Sequence, residues 1–135
     1  MRRETNFKLP EDIRNYIEQL TEIIHPKAII LFGSMARGEA HVQSDYDLMV
    51  IASDLPRDFW ERQDLLWFGK PLSVDIIGLT PDEVITHINR GLILDALLEG
   101  IVVYGDAANL QLEAERYIQE QNLQRTPNGY FHRIA

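Results

Sequence analysis

The sequence predicts an α/β (α+β) fold: a small mixed β-sheet flanked by helices. Three observations lead there. Short apolar runs rich in β-branched residues stand at 28–32, 45–52, 72–79 and 101–104. Segments with apolar residues at helical spacing lie between them. Glycine, proline or capping residues mark the junctions. Helices that alternate with strands place all elements around one sheet. With 135 residues, 45% hydrophobic and 25% charged, the chain is expected to form a single domain over 1–135, its core at about 28–105.

Pro10 opens the first helix, in which Leu9, Ile13, Tyr16, Ile17, Leu20 and Ile24 recur at helical spacing, and Pro26 ends it. "AIILF", 28–32, reads as a buried strand. Gly33 to Gln43 is small and polar, a loop with a helical turn through Met35 to Gly38. "DYDLMVIA", 45–52, is the second strand. Asp58 with Glu61 three residues on resembles a capping pair, and Gly69 suits the position just past a helix, so 58–68 is predicted helical. "LSVDIIGL", 72–79, is the third strand. Thr80, Pro81 and Glu83 have the N-cap, N1 and N3 chemistry of a helix start, and that helix is expected to run to about Arg90. "GLILDALLEG" is a further helix closed by Gly100, "IVVY" a fourth strand, and Asp106 caps a last helix to about Gln121. The tail, about 122–135, lacks a clear period and is expected to be irregular. There are no internal repeats and no linker.

Composition removes several classes of function. The absence of cysteine excludes disulfides, thiolate nucleophiles and cysteine zinc sites, and it fits a cytoplasmic location. "MRRETNFKLP" has no apolar stretch behind its arginines, so it does not read as a signal peptide, and no apolar run approaches the ~20 residues of a membrane helix. The net charge is −8 and the 13 Lys and Arg residues form no run, which argues against nucleic acid as the main ligand. An acidic surface suits a basic protein partner, or serves solubility alone. Walker A, G-x-S-x-G and H-E-x-x-H patterns are absent.

The chemistry gathers around carboxylates inside strands. Side chains of a strand alternate, so Asp45, Asp47, Met49 and Ile51 share one face and Tyr46, Leu48 and Val50 the other. On the third strand Ser73, Asp75 and Ile77 share a face, and no Lys or Arg between 72 and 79 can pair with Asp75. Unpaired carboxylates in such places are costly and repel one another. A divalent cation between them removes the difficulty. Oxygen ligands without cysteine or clustered histidine suit Mg²⁺ or Mn²⁺, and Mg²⁺ fills its shell with water and phosphate oxygens, which points to a nucleoside triphosphate. Gly33 and Ser34 directly follow a strand. The glycine lets backbone approach a phosphate, the hydroxyl and nearby amides donate to its oxygens, and a helical turn there would add positive potential. Taken singly, a Gly-Ser pair is usually a turn and an Asp-x-Asp pair usually a solvated loop; their joint placement is what carries weight.

"GSMARGEAHVQSDYDLMV" resembles the signature of the minimal nucleotidyltransferases (MNT), members of the DNA polymerase β-like superfamily. Gly33-Ser34, residues 35–44 and Asp45-Tyr46-Asp47 match Gly-Ser, ten residues, Asp-x-Asp without a gap. Ala36, Arg37, Gly38, Ser44, Leu48 and Val50 agree as well, and "SVDII" offers Asp75 as the third carboxylate. The resemblance spans roughly 28–77, with "ALLEGIVVYGD" a weaker echo of the closing segment. It implies the nucleotidyltransferase fold, with Asp45 and Asp47 holding two Mg²⁺ ions and Asp75 holding one of them while helping to deprotonate the attacking hydroxyl. It also implies Gly33 and Ser34 on the triphosphate of ATP, with Ser44 and Arg37 on the same side; for Arg37 a surface salt bridge is an equal alternative. The expected reaction is in-line attack on the α-phosphorus with loss of pyrophosphate.

Small members of this family work with a helical HEPN-type toxin as antitoxins, and some add AMP to a tyrosine of that toxin. The same role is expected here, with a homodimer left open. Two rivals stand beside it: a non-catalytic antitoxin that masks a toxin sterically, and a transferase acting on a small molecule such as an aminoglycoside. Trp60 and Trp67, seven apart on one helix face, are expected to pack in the core, with an interface as the lesser alternative. His25, His41, His87 and His132 show no metal spacing and are expected at the surface or at caps.

Overall fold

Pro10 leads into α1 (Glu11–Ile24), whose buried residues Ile13, Tyr16, Ile17, Leu20 and Ile24 form the predicted stripe. His25, left-handed at φ 52°, ends it. Strand β1 (Ala28–Phe32) follows and is buried along its whole length. The computed structural model describes residues 8–38, 45–127 and 129–132. In chain order the remaining elements are α2 (Ser34–Arg37), β2 (Tyr46–Ile51), α3 (Phe59–Trp67), β3 (Val74–Leu79), α4 (Pro81–Thr86), α5 (Gly91–Glu99), β4 (Ile101–Gly105), α6 (Ala108–Glu120), β5 (Leu123–Thr126) and β6 (Gly129–His132).

The main sheet has four strands in the order β3-β2-β1-β4. β1 runs antiparallel to both β2 and β4, whereas β2 and β3 are parallel. The sheet is therefore mixed, as expected. Its two faces bury two cores. Ile29, Leu31, Leu48, Val50, Val74 and Ile76 pack toward α1 and α3 through Leu20 and Leu66. Ile30, Phe32, Met49 and Ile51 pack toward α4, α5 and α6 through Val84, Leu94, Leu97 and Leu110. The strict alternation of β2 between the two cores is the period of a strand in a two-sided layer.

The crossover from β2 to β3 is held by a buried arginine. Arg62 of α3 is 9% exposed. Its Nε donates to Pro56 O at 2.7 Å, and its Nη1 donates to Gly78 O at 3.1 Å and to Glu83 Oε1 at 2.8 Å. Its Nη2 donates to Glu83 Oε2 at 3.3 Å, completing a two-pronged pair. Glu83 is also the N3 residue of the predicted capping box, with Thr80 N donating to its Oε1 at 2.8 Å. The guanidinium accordingly holds the carboxyl of Glu83 below its ordinary range.

Several expectations are corrected. The helix from Thr80 ends at Thr86 rather than Arg90. Tight turns with His87 N–Glu83 O and Arg90 N–His87 O bonds of 3.0 Å each re-aim the chain into α5. The residues there, Thr86, His87, Ile88 and Asn89, are weak helix formers. Asp106 caps α6 from one place earlier than a formal N-cap, its Oδ1 accepting from Ala108 N at 2.8 Å. The tail is not irregular over Leu123–Thr126 and Gly129–His132: β5 and β6 pair as an antiparallel hairpin with Thr126 opposite Gly129. Four-residue strands are too short to show alternation, so the hairpin escapes a periodicity reading. Trp60 and Trp67 are not core residues. They are 66% and 48% exposed, because α3 turns Arg62 and Leu66 inward instead. Among histidines, His25 and His87 stand at helix C-caps, as expected; His41 lies outside the described residues.

Replacing Arg62 by Ala should leave Glu83 and two carbonyls without their buried partner. Urea unfolding of that variant is expected to show a loss of about 2–4 kcal/mol, and Arg62→Lys, which lacks the fork, should recover less than half of it.

Candidate active site at the β2–β3 end of the sheet

Because β2 and β3 are parallel and in register, Asp47 sits directly beside Asp75. On its other side Asp47 is opposite Phe32, the last residue of β1. Tyr46 N donates to Ser73 O at 2.8 Å, which fixes this register where the two strands begin. Asp45 precedes β2 by one residue and is exposed, as is Asp75, whereas Asp47 is half-buried. Asp47 and Asp75 belong to the face shared by Met49, Ile51 and Ile77, the α5 and α6 side of the sheet, and Asp45 is near enough for its charge to act on Asp47. Sequence reasoning on alternating faces thus agrees with the placement of Asp47 and Asp75, whereas Asp45, expected within the strand, precedes it.

Gly33 closes the site from the β1 side. It stands at φ 76° and ψ −158° between β1 and α2, a conformation open essentially to glycine alone. A Cβ on Gly33 would collide with Oδ2 of Asp47. The turn and the carboxylate are therefore fitted against each other with only a hydrogen atom between them. Ser34 begins α2 and is half-buried beside this turn. Arg37 N donates to Gly33 O at 3.2 Å, closing the single helical turn. That turn is four residues long, so what it offers an anion is its local amides rather than a helix macrodipole. Ser44 lies outside the described residues.

The electrostatics are those of crowded acids. Burial first, then the charges of Asp75 and Asp45, push the carboxyl of Asp47 above the ordinary aspartate value, while Arg37 opposes the shift. The donor set is all carboxylate oxygen, which suits a hard divalent cation that completes its shell with water and phosphate. The three acids gather without closing into a cage: among the described residues no group of three or more His, Asp or Glu side chains stands ready to coordinate a metal ion.

Sequence reasoning missed the residues behind Arg37. Its Nη1 donates to Asp95 Oδ1 and Oδ2 at 3.3 and 3.2 Å. Arg125 of the hairpin approaches the same carboxylate, with Nη2–Oδ1 3.8 Å, and also Glu99, with Nε–Oε1 3.8 Å. Tyr130 lies under the Arg125 guanidinium, 5.5 Å from it to the ring centroid. A cleft of about 320 Å³ opens between these groups, lined by Arg37, Leu92, Asp95, Arg125, Pro127 and Tyr130 among others. The available signal was Pro127 and Gly129 around a turn position in "TPNGY". Gly33→Ala is expected to lower stability by about 1–3 kcal/mol through its backbone angle and further through the clash with Asp47 Oδ2; in the Asp47→Gly background, where the colliding oxygen is gone, only the second part should be recovered in a double-mutant cycle.

The chain is similar to known nucleotidyltransferase proteins. The family model of the nucleotidyltransferase domain matches residues 11–104. A protein of Methanocaldococcus jannaschii, named "Putative protein adenylyltransferase MJ1215", is 36% identical over 78 residues, covering 56% of this chain and 91% of that protein. A chain in a crystal structure of a toxin–antitoxin pair with AMP-PNP superposes with a TM-score of 0.53 at 23% identity, covering 84% of this chain and 88% of that one. A chain from the complex of a tri-AMPylated Shewanella oneidensis HEPN toxin with its MNT antitoxin gives 0.50 at 21% identity, covering 82% and 84%. At such identities the two structures speak for the fold, whereas the domain match covers most of the chain: the protein belongs to the nucleotidyltransferase domain family.

Proposed function

We propose that the chain is a protein adenylyltransferase that moves AMP from ATP to a hydroxyl, a tyrosine of a HEPN-type toxin, and so acts as an antitoxin in the cytoplasm. The observation that carries this reading is the in-register pair Asp47–Asp75 with Asp45 beside it and Gly33 pressed against Asp47. The name of the Methanocaldococcus jannaschii relative supports protein as the acceptor class, and the AMPylated toxin in the Shewanella oneidensis complex supports AMP and a HEPN partner.

Each residue has a task in that reaction. Gly33 and Ser34 would face the triphosphate with amide and hydroxyl donors, and Arg37 would add its charge from the end of α2. Asp45, Asp47 and Asp75 would hold two Mg²⁺ ions, which when bound neutralise phosphate charge and ease deprotonation of the acceptor. Asp75, exposed like Asp45, would accept the proton of the attacking hydroxyl. The hydroxyl oxygen bonds to the α-phosphorus, the bond from that phosphorus to the bridging oxygen breaks, and pyrophosphate leaves with the electron pair. The cleft bordered by Arg37, Arg125 and Tyr130 adjoins the acids through Arg37 and offers room for part of the nucleotide.

Incubation with α-labelled ATP, Mg²⁺ and a purified HEPN-type helical protein should label that protein and release pyrophosphate. Asp45→Ala or Asp47→Ala should lower the rate by roughly 10²-fold or more; full activity in the double variant would overturn the assignment. Asp47→Asn should also separate stability from activity. The pKa of Asp47 is raised on folding, so the folded state holds the proton more tightly than the unfolded chain. Stability is then lost as pH rises from the ordinary aspartate range through the raised value, and the loss is complete above it. In chelator at pH 7 the inactive Asn variant should therefore melt higher than wild type, and the gap should close as pH falls below the ordinary aspartate range. Added Mg²⁺ should raise the melting temperature of wild type and leave the variant nearly unmoved.

A further inference from the structure

Five large apolar side chains are exposed within one short stretch. Phe59 is 57%, Trp60 66%, Trp67 48%, Phe68 68% and Leu72 98% exposed. Single exposed apolar residues, such as Leu112 on α6, are ordinary; a run of aromatics along one helix is not. Trp60, Asp64 and Trp67 follow helical spacing, so the two indoles flank a carboxylate on one stripe. Asp58, Glu61 and Asp64 are all exposed around them. The inward side of the same helix is fixed by Leu66 in the core and by the Arg62–Glu83 pair, so the stripe is a firm platform.

We propose that the outer face of α3 docks the protein that accepts the nucleotide, through a basic amphipathic helix of that partner. The acceptor role rests on the adenylyltransferase reading; the docking chemistry does not. Tryptophans are the usual anchors of protein interfaces, and a Lys or Arg between two indoles and beside Asp64 gains both cation–π and ionic attraction. From Trp60 to Trp67 the stripe is about 10 Å long at helical rise, a length that one packed helix covers. A second copy of this chain fits poorly, because a two-fold contact would set Asp64 and Glu61 against their own equivalents in a chain of net charge −8. The face also leads to the site. α3 runs back toward the end of the sheet where β3 begins, and Leu72 lies three residues before Asp75. Because α3 covers the opposite face of the sheet from the acids, a partner seated there reaches them around the outer edge formed by β3.

The probes are two fluorescein-labelled helical peptides, one with Leu and Lys at amphipathic spacing and one with Glu in place of every Lys. The Lys peptide should raise anisotropy and shift tryptophan emission to the blue, and the Glu peptide should do neither. Trp60→Ala with Trp67→Ala, and separately Asp64→Lys, should weaken binding about tenfold or more while melting as wild type does. Asp47→Asn should bind unchanged, so a failure of catalysis is told apart from a failure of docking. In the transfer assay the double Trp variant should raise KM for the protein acceptor and leave kcat alone. Absent binding, equal binding of both peptides, or variants that bind like wild type would overturn the proposal. So would a wild-type dimer in sedimentation that the double Trp variant dissolves, since that gives the face to a second copy.

Discussion

The parallel pairing of β2 with β3 is the constraint on which the site depends. In an otherwise antiparallel sheet, this one pair places the beginnings of two strands side by side, and each beginning carries an aspartate. An antiparallel β3 would have put Asp75 at the far end from Asp47. The parallel arrangement requires a crossover, which α3 supplies with the connection expected of such units. Arg62 then ties the crossover to the loop at Pro56, to β3 at Gly78 and to the cap of α4. A buried charge is expensive, and here it is matched by a carboxylate and two carbonyls. Stability far from the reaction thus maintains the spacing of the acids.

The acids themselves work against folding. Asp47 is half-buried beside two like charges, with Arg37 as a partial counterweight. Such frustration belongs at a place built for a ligand that brings the opposite charge. Arg37 is restrained in turn by Asp95, which also meets Arg125 from the hairpin. The C-terminal hairpin is therefore part of the wall behind the site and not an appendage. Among the described residues no helix is long and apolar enough to cross a membrane.

The sheet and most helices were legible because their signals are local. β1 reads as a continuous apolar run, α1 as a stripe, and Thr80 with Glu83 as a capping box. The acids were legible for a different reason: charge inside a strand contradicts its surroundings, and a contradiction is visible in one dimension. What escaped was long-range. Nothing near Arg62 in the chain announces that Glu83 will neutralise it, so hydrophobicity alone would turn the helix face that carries Trp60 and Trp67 inward. Asp95 is 58 positions from Arg37, and their pairing depends on how α5 packs against β1. The hairpin at 123–132 was hidden by the shortness of its strands.

The Arg62 clamp also governs how the edge of the molecule moves. A single guanidinium joins α3, the segment before it, β3 and α4, so these parts are coupled as one block. Asp47 and Asp75 face each other across the continuous ladder between β2 and β3, which the clamp reaches at Gly78. The gap between those two acids is therefore set by the backbone hydrogen bonds of that ladder rather than by any side chain in it.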